Sequence, residues 1–259
     1  MDCARYAALT LPRILLRHPY QRGFGEHGSW FDEPLDGASD LLWGNPAYAL
    51  AACITNAFAK YGWCAAIRGV EGGGLVEGLP CVPAAGDDGG SAAKAVTDIR
   101  MTDRREKELA DLGFVPLLAF KGTDLAAFFS MQTCCQSGQY DMEAASANAR
   151  LATQLQYVLT ASRFVHYLRS MARDRIGSFH TLQSYEEYLN RWLGQYVLDE
   201  DGSPANKAQR PLREARVELE QTPGKPGTYR AVIFLRPHFH LDELSVSMRL
   251  VAELPVPAL

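Results

Sequence analysis

The sequence predicts an α+β fold with mixed helices and sheets, a long central helical segment and antiparallel strands near the C-terminus. The central segment, residues 143–176, places apolar residues at three- and four-residue steps, which is the pattern of a helix with one apolar face. After residue 210, apolar and polar residues alternate, which is typical of half-buried strands. This change of period predicts helices followed by a sheet.

Two breaks in sequence character divide the chain of 259 residues. One lies near residues 140–145 and the other near 200–210, where polar residues interrupt the apolar periodicity. We therefore predict a first domain over residues 1–143 and a second domain over residues 144–259. The second domain is expected to contain helices over 144–197 and strands over 211–254.

Cap and turn residues delimit the elements of the first domain. Asn45-Pro46 predicts a helix start, because Asn is a preferred N-cap and Pro fits the first helical position. This helix is expected to run to about Tyr61 and to stop at Gly62. The other predicted elements are strands at 5–11 (buried), 63–68 (buried) and 75–76, a hairpin of 115–120 with 125–131, a charged helix at 103–112 capped by Thr102 or Asp103 and ended by Gly113, and loops at 24–39 and 83–93.

The second domain begins with a single predicted helix over residues 143–176, which Gly177 ends. A second helix is expected from the capping box Ser184-x-x-Glu187. Residues 199–209 form a predicted flexible polar linker. The remaining predicted elements are strands at 213–220, 229–236 and 244–254, a turn at 223–227 and a flexible connection at 237–243.

Composition excludes several classes of function. The chain has 26 basic and 30 acidic residues and a formal net charge of −4, so it lacks the broad positive field that non-specific nucleic-acid binding needs. Its longest apolar stretches are shorter than the roughly 20 residues of a membrane-spanning helix. The N-terminus has no leader pattern, and the six scattered cysteines predict reduced, mostly buried thiols. We expect a cytoplasmic protein with no nucleic-acid partner and no membrane insertion.

Two patterns raise the question of a ligand site. Gly72-Gly73-Gly74 lacks the remainder of a phosphate-binding motif and is followed by a predicted strand rather than a helix, so it is interpreted as a tight turn. His238 and His240 lie on one side of an extended segment and could supply half of a metal site. Since no complementary ligand pair accompanies them, we predict no metal and no cofactor.

A cysteine nucleophile is the other chemical alternative. It would need a histidine base, and only the fold could bring Cys134 or Cys64 close to His166 or His180. No local signature marks such a pair, so we predict no catalytic residues. A soluble enzyme with a Cys/His pair or a histidine metal site remains the alternative hypothesis.

Several stretches together, in order along the chain, resemble one family. They lie at residues 42–49, 63–80, 102–109, 113–117, 121–124, 162–167, 173–178, 211–215, 223–227 and 234–239. The family-motif residues singled out within them are Trp43, Gly44, Asn45, Arg104, Arg105, Glu106, Lys121, Gly122, Thr123, Asp124, Arg213, Glu214, Arg236 and Pro237. This set is similar to the large sheath subunit of bacterial type VI secretion systems, the TssC/VipB (EvpB-like) family.

The resemblance implies a contractile tail-sheath-like fold and a structural protein without a cofactor. The implied partners are the small sheath subunit (TssB/VipA-like), further copies of the chain in a helical sheath, and the hexameric protein of the inner tube. Residues 1–143 would be the C-terminal part of the sheath main domain and residues 144–259 the sheath C-terminal domain. A ClpV-type unfoldase is a further implied partner. Family members are longer, however, and we expect the family segment implicated in recognition by this unfoldase to have no counterpart in this sequence. A truncated regulatory sheath fragment is therefore a further alternative.

The resemblance also implies that strands near the C-terminus interlock with strands of neighbouring subunits. The predicted strand 244–254 suits this role, because main-chain hydrogen bonds can add a strand across an interface. An ordinary strand within one subunit is the alternative. The apolar residues of the predicted intersubunit strand are Leu244, Val246, Met248, Leu250 and Ala252.

Overall fold

A computed structural model describes residues 2–22, 30–36, 38–84, 93–138, 140–174, 182–198, 202–221, 229–238 and 248–252. The chain divides into two compact units. Unit 1 comprises Met1–Asn56 and Ile67–Cys135, and unit 2 comprises Ala57–Ala66 and Gln136–Leu259. Helices accompany one mixed sheet and several antiparallel sheets, so the predicted α+β class is confirmed.

The described part of the chain contains α-helices, strands and two short 3-10 helices. The α-helices are α1 (Ala47–Tyr61), α2 (Asp103–Asp111), α3 (Glu143–Leu151), α4 (Leu155–Asp174), α5 (Leu182–Gly194) and α6 (Pro204–Gln209). The strands are β1 (Leu9–Leu11), β2 (Ile14–Leu15), β3 (Trp43–Gly44), β4 (Leu75–Val76), β5 (Val82–Ala84), β6 (Ala93–Ala95), β7 (Phe114–Ala119), β8 (Ala126–Phe128), β9 (Leu212–Gln221), β10 (Tyr229–Pro237) and β11 (Met248–Ala252). The 3-10 helices are Asp2–Tyr6 and Ala38–Asp40.

Unit 1 is organised around a four-stranded sheet in the order β1-β7-β8-β4. Strand β1 runs parallel to β7, whereas β8 pairs antiparallel with both β7 and β4. Val115, Leu117 and Phe128 are fully buried, because the central strands β7 and β8 are covered on both faces. The predicted hairpin is confirmed, although β8 is shorter than the apolar run that predicted it.

The caps predicted in unit 1 are confirmed. Asn45 Oδ1 accepts a hydrogen bond from the Ala47 amide at 2.8 Å and a second from the Thr10 hydroxyl at 2.6 Å. Thr102 Oγ1 accepts from the Arg105 amide at 3.4 Å and is the N-cap of α2. The bonds from Ala47 and Arg105 satisfy amides that have no partner within the helix itself.

Of the strands predicted in the first half, the one over 5–11 is present only at Leu9–Leu11, and the one over 63–68 is wrong. Residues 5–11 form the 3-10 helix Asp2–Tyr6 and the short, half-exposed strand β1 instead of a buried strand. Residues 63–68 form a loop, in which Trp63 and Ile67 are buried although they belong to no strand. Their apolar character reflects packing against helices and strands rather than membership of a ladder. Of the predicted loop 83–93, residues 85–92 lie outside the described residues, and its ends belong to β5 and β6.

An aromatic cluster forms part of the core of unit 2. The Trp63 ring stacks on Phe164 of α4 with a centroid distance of 4.2 Å. Tyr196 and Trp192 pack edge-on against this stack at centroid distances of 5.1–6.0 Å and against each other at 5.0 Å. The guanidinium of Arg163 lies 4.9 Å from the Trp63 ring and donates a 2.7 Å hydrogen bond to the Gly62 carbonyl. The cluster thus joins the segment after α1 to α4 and α5.

The helices of unit 2 differ from the prediction in three places. The single helix expected over 143–176 is two helices, since tight turns at residues 152–154 separate α3 from α4 and the Thr153 hydroxyl donates to the Arg150 carbonyl at 2.7 Å. Ser184 lies inside α5 and is not its cap. The predicted linker 199–209 contains α6, with Ser203 as N-cap and Pro in its first turn. Gly177 and residues 199–201 lie outside the described residues.

The cysteines are less buried than the sequence predicts. Among the cysteines whose side chains the structure describes, none forms a disulfide, and Cys53 is buried. Cys64, Cys81, Cys134 and Cys135 are half-buried, so the prediction of mostly buried thiols is wrong. In the described ranges, no helix combines the length and the apolar character needed to cross a bilayer.

We predict that Trp63→Ala lowers the free energy of unfolding of unit 2 by about 3–5 kcal/mol, because it removes a buried ring and leaves a cavity. Trp63 is 5% exposed. Trp30, which is 85% exposed, provides the matched control, and Trp30→Ala should change stability little. Guanidinium denaturation followed by circular dichroism measures both. Equal effects of the two substitutions would contradict the assigned core.

Candidate assembly surface

The three-stranded sheet of unit 2 has the order β11-β10-β9, and both of its strand pairs are antiparallel. The predicted C-terminal antiparallel strands are therefore present. The predicted strand 213–220 is β9, the predicted strand 229–236 is β10, and the predicted strand 244–254 is the shorter β11. The turn at 223–227 and residues 239–247 lie outside the described residues.

One face of this sheet belongs to the core. Val217 of β9 lies opposite Ile233 of β10, and Leu219 lies opposite Ala231. All four are buried in the cluster that also contains residues of α4 and α5. Burial of these apolar side chains accounts for the alternation seen in the sequence of β9.

The other face carries charged residues in complementary pairs. Arg236 lies opposite Glu214, and their side chains form an ion pair at 3.1 Å. Arg216 lies opposite Phe234, holds its guanidinium carbon 4.4 Å from the ring centre and pairs with Glu218 at 3.1 Å. Opposite charges facing each other across strands stabilise a sheet and fix its register.

The outer edge of β9 is occupied by side chains of α5. The Val217 amide donates to Asn190 Oδ1 at 2.8 Å, and Asn190 Nδ2 donates to the Val217 carbonyl at 2.9 Å. The Leu219 amide donates to Glu186 Oε2 at 3.1 Å. Asn190 Nδ2 also donates to the main-chain carbonyl of Glu186 at 3.0 Å, which holds the Asn190 side chain against the preceding turn of the helix.

The start of β9 is occupied by the segment after α5. The Leu212 amide donates to the Tyr196 carbonyl at 3.2 Å, and the Leu198 amide donates to the Leu212 carbonyl at 2.9 Å. Val197 and Leu212 accordingly form an isolated parallel bridge. Main-chain groups of the same chain thus cover this part of the edge.

The opposite edge of the sheet is formed by β11. In an antiparallel sheet, the N–H and C=O groups of successive residues point alternately to the two neighbouring strands. The N–H and C=O of Val217 bond to Asn190 and therefore point away from β10. The N–H and C=O of its opposite residue, Ile233, consequently point toward β11, where Ile233 lies opposite Leu250. The main-chain groups of Arg249 and Val251 therefore point outward, and no described strand pairs with them.

A groove of about 870 Å³ lies beside the beginning of β9 and the end of β10. Four arginines and one glutamate line it together with smaller and apolar residues, so its wall carries an excess of positive charge. The charged lining residues are Arg210, Arg213, Arg216, Arg236 and Glu214. Three predicted motif residues therefore line this groove: Arg213, Glu214 and Arg236. The fourth, Pro237, follows Arg236 and is the last residue of β10.

The motif residues Trp43, Gly44 and Asn45 lie shortly before the start of α1. Trp43 and Gly44 form β3 and pair with Leu15 and Ile14. A Cβ atom added to Gly44 would lie 2.6 Å from the side chain of Leu16, so glycine permits this close approach. Asn45 caps α1, as described above.

The remaining motif residues of unit 1 lie in α2 and in the turn between β7 and β8. Arg104 forms an ion pair with Glu108 at 3.0 Å, and Arg105 lies 3.8 Å from the same carboxylate. Glu106, by contrast, is buried. In the turn, Gly122 has φ of +76°, which favours glycine.

The residues on either side of Gly122 close the same turn. Lys121 is exposed, and Thr123 Oγ1 donates to the Phe120 carbonyl at 3.1 Å. The Asp124 carbonyl accepts from the Leu79 amide at 3.1 Å. These bonds are structural contacts of a hairpin connection.

Cys64, one of the two candidate nucleophiles, is half-buried. Burial raises the pKa of Cys64, although Arg163 opposes this, and a nucleophilic thiol needs the opposite shift. His180 and His240 lie outside the described residues. Among the residues that the structure describes, no group of three His, Cys, Asp or Glu side chains is arranged to hold a metal ion.

Sequence reasoning missed Asn190 and Glu186. The only signal in the sequence is an Asn in the middle of a predicted helix, where Asn is a weak helix former. Such a residue often uses its amide for a contact outside the helix, but its partner on β9 is 27 residues away and follows only from the fold.

Comparison with known proteins gives consistent matches along the chain. Residues 1–135 match the family model described as EvpB/VC_A0108, tail sheath N-terminal domain, and residues 144–254 match the EvpB/VC_A0108, tail sheath gpW/gp25-like domain. The chain is 46% identical over 260 residues to the type VI secretion system sheath protein TssC1 of Pseudomonas aeruginosa. The match covers 97% of this chain and 52% of TssC1, so the chain spans about half the length of that curated relative.

We predict that Arg236 and Glu214 stabilise the sheet as a pair. A double-mutant cycle with Arg236→Ala and Glu214→Ala should give a coupling of about 0.2–1 kcal/mol in the free energy of unfolding. The Arg236 side chain is only 19% exposed, which reduces screening by solvent, whereas Glu214 is 66% exposed. Arg230 and Glu220 serve as the control: they lie opposite each other on β10 and β9, and both are exposed. Their coupling energy should be smaller. Zero coupling for Arg236 and Glu214 would refute the prediction.

Proposed function

The chain belongs to the EvpB/VipB tail sheath family, and from this we propose that it is a structural subunit of the contractile sheath of a type VI secretion system. The observation that carries the proposal is the succession of two tail sheath domain models, in order, over residues 1–135 and 144–254. In this role the chain acts in the cytoplasm by assembly rather than by catalysis.

We further propose that the chain pairs with the small sheath subunit and with further copies of itself to build a tube around the hexameric inner-tube protein. Contraction of this tube would propel the inner tube and its effectors. The charged outer face of the sheet and the arginine-lined groove support the proposal, because both offer polar and charged contacts on the surface of unit 2.

The intersubunit contact is proposed to use the β11 edge. No described strand occupies the outward main-chain groups of Arg249 and Val251, and addition of a strand from a neighbour would gain a row of main-chain hydrogen bonds. Met248, Leu250 and Ala252 lie opposite Leu235, Ile233 and Ala231 of the same chain. Leu244 and Val246, which belong to the same predicted intersubunit strand, lie outside the described residues.

We expect co-expression with the small sheath subunit to give a stable heterocomplex or tubes, detected by size exclusion and negative-stain microscopy. The same measurement on the chain alone is the control. A chain that ignores the small subunit would contradict pairing by this part of the protein and favour the alternative of a regulatory sheath fragment.

We also predict that Val251→Pro prevents tube formation while the chain remains folded. Proline removes the outward N–H of Val251, which β10 does not use, and blocks the approach of a further strand. Leu250→Pro is the matched control, because it removes an N–H that faces Ile233 and should weaken the sheet of the chain itself. Circular dichroism and microscopy of the co-expressed complexes separate the two effects. Normal tubes from a folded Val251→Pro variant would exclude the β11 edge.

A further inference from the structure

The two edges of the sheet in unit 2 differ in whether their outward main-chain groups are hydrogen-bonded within the described part of the chain. A strand edge presents unpaired N–H and C=O groups and is a template for pairing with another chain. At β9 the outward groups of Val217 and the Leu219 amide are bonded to α5, and those of Leu212 to the segment after it, whereas at β11 no described strand covers them. The difference lies in side chains of α5 rather than in an additional strand.

The Asn190 amide reproduces the contact that a neighbouring strand would make. It offers an acceptor to the Val217 N–H and a donor to the Val217 C=O, at 2.8 and 2.9 Å. A residue of an added strand would use these same two groups of Val217. A third hydrogen bond, from Asn190 Nδ2 to the Glu186 carbonyl, holds the side chain in this position.

Glu186 extends the same coverage by one step along β9. Its carboxylate accepts from the Leu219 amide, which points to the same side as Val217. At the other end, Leu212 is bonded to Tyr196 and Leu198. Three outward-pointing residues of β9 are therefore already bonded within the chain.

We propose that Asn190 and Glu186 block strand addition at the β9 edge, so that a further strand can join this sheet only along β11. The block is a property of the isolated chain, because all of its groups belong to unit 2. Its consequence for the sheath, a single direction of growth for each sheet, rests on the proposed function.

The central experiment uses the full chain with Asn190→Ala. Alanine is the strongest helix former, so the substitution does not weaken α5 intrinsically, and its effect reports the contact with β9. We expect hydrogen exchange of the Val217 amide in the monomer to accelerate on the order of tenfold, since two hydrogen bonds are lost. We also expect association that increases with concentration in sedimentation velocity, with slow exchange at Val217 restored in the associated species.

A second variant and a matched control keep the test decisive. Glu186→Ala frees the Leu219 amide and should produce the same gain of association, so it carries the test if Asn190→Ala does not fold. Glu187→Ala is the control, because Glu187 is exposed on the same helix and its carboxylate contacts Gln183 rather than β9. It should behave as the unchanged chain does.

Two results would overturn the proposal. A folded Asn190→Ala chain with fast exchange at Val217 that sediments as the unchanged chain at every concentration would show that an open β9 edge attracts no strand. Unchanged exchange at Val217 would show that Asn190 does not cover this edge. A merely structural role of Asn190 lowers the unfolding temperature without producing the gain of association.

The same variants separate this proposal from the sheath function. If the unchanged chain fails to bind the small sheath subunit while Asn190→Ala gains association in isolation, the block at β9 stands and the proposed function fails. If tubes form and the variants neither associate in isolation nor alter tube width or branching, the function stands and the block fails.

Discussion

The contact between α5 and β9 is the constraint on which the structure of unit 2 depends. Leu189 and Leu193 are fully buried in the same cluster as Val217 and Ile233, so the helix must lie against the sheet to bury its apolar stripe. Asn190 follows Leu189 directly and reaches the edge of β9 only in this arrangement. Apolar burial thus positions the helix, and the amide contact fixes its register along the strand.

The aromatic cluster extends this constraint to the rest of the unit. Trp192 of α5 packs against Phe164 of α4, and Tyr196, two residues after the end of α5, packs against Phe164 and Trp63. Because rings of this size bury large areas and pack with specific geometry, they leave few alternative positions for the two helices. A displacement of α5 would therefore cost core packing as well as the hydrogen bonds to β9.

The sequence predicted the elements whose signals are local and failed where tertiary contacts decide. Asn45, Thr102 and the alternation of β9 act over a few residues, and the structure has them as expected. Residues 63–68 were interpreted as a strand because apolar content does not distinguish a buried loop from a buried strand. Ser203-Pro204 is a local signal for the start of α6, but the polar composition of residues 199–209 predicts a linker instead.

The candidate surface could be predicted only in part for the same reason. Arg213, Glu214 and Arg236 were singled out by the resemblance, and their meeting at one groove depends on the register of β9 and β10. Asn190 and Glu186 could not be assigned, since their partners are 27 and 33 residues away in sequence.

For the proposed sheath, the two unlike edges of the sheet have a mechanical consequence. A contractile array must rotate its subunits while its joints hold, and main-chain hydrogen bonds between strands are directional enough to keep their register during rigid-body motion. Such a joint is specific only if each sheet offers one edge, because two open edges would allow strands to add on either side. Side chains of α5 supply this asymmetry without an extra strand, and the same helix anchors the sheet to the core of unit 2. Force that reaches β11 would therefore pass through β10 and β9 into packed helices rather than into a loop.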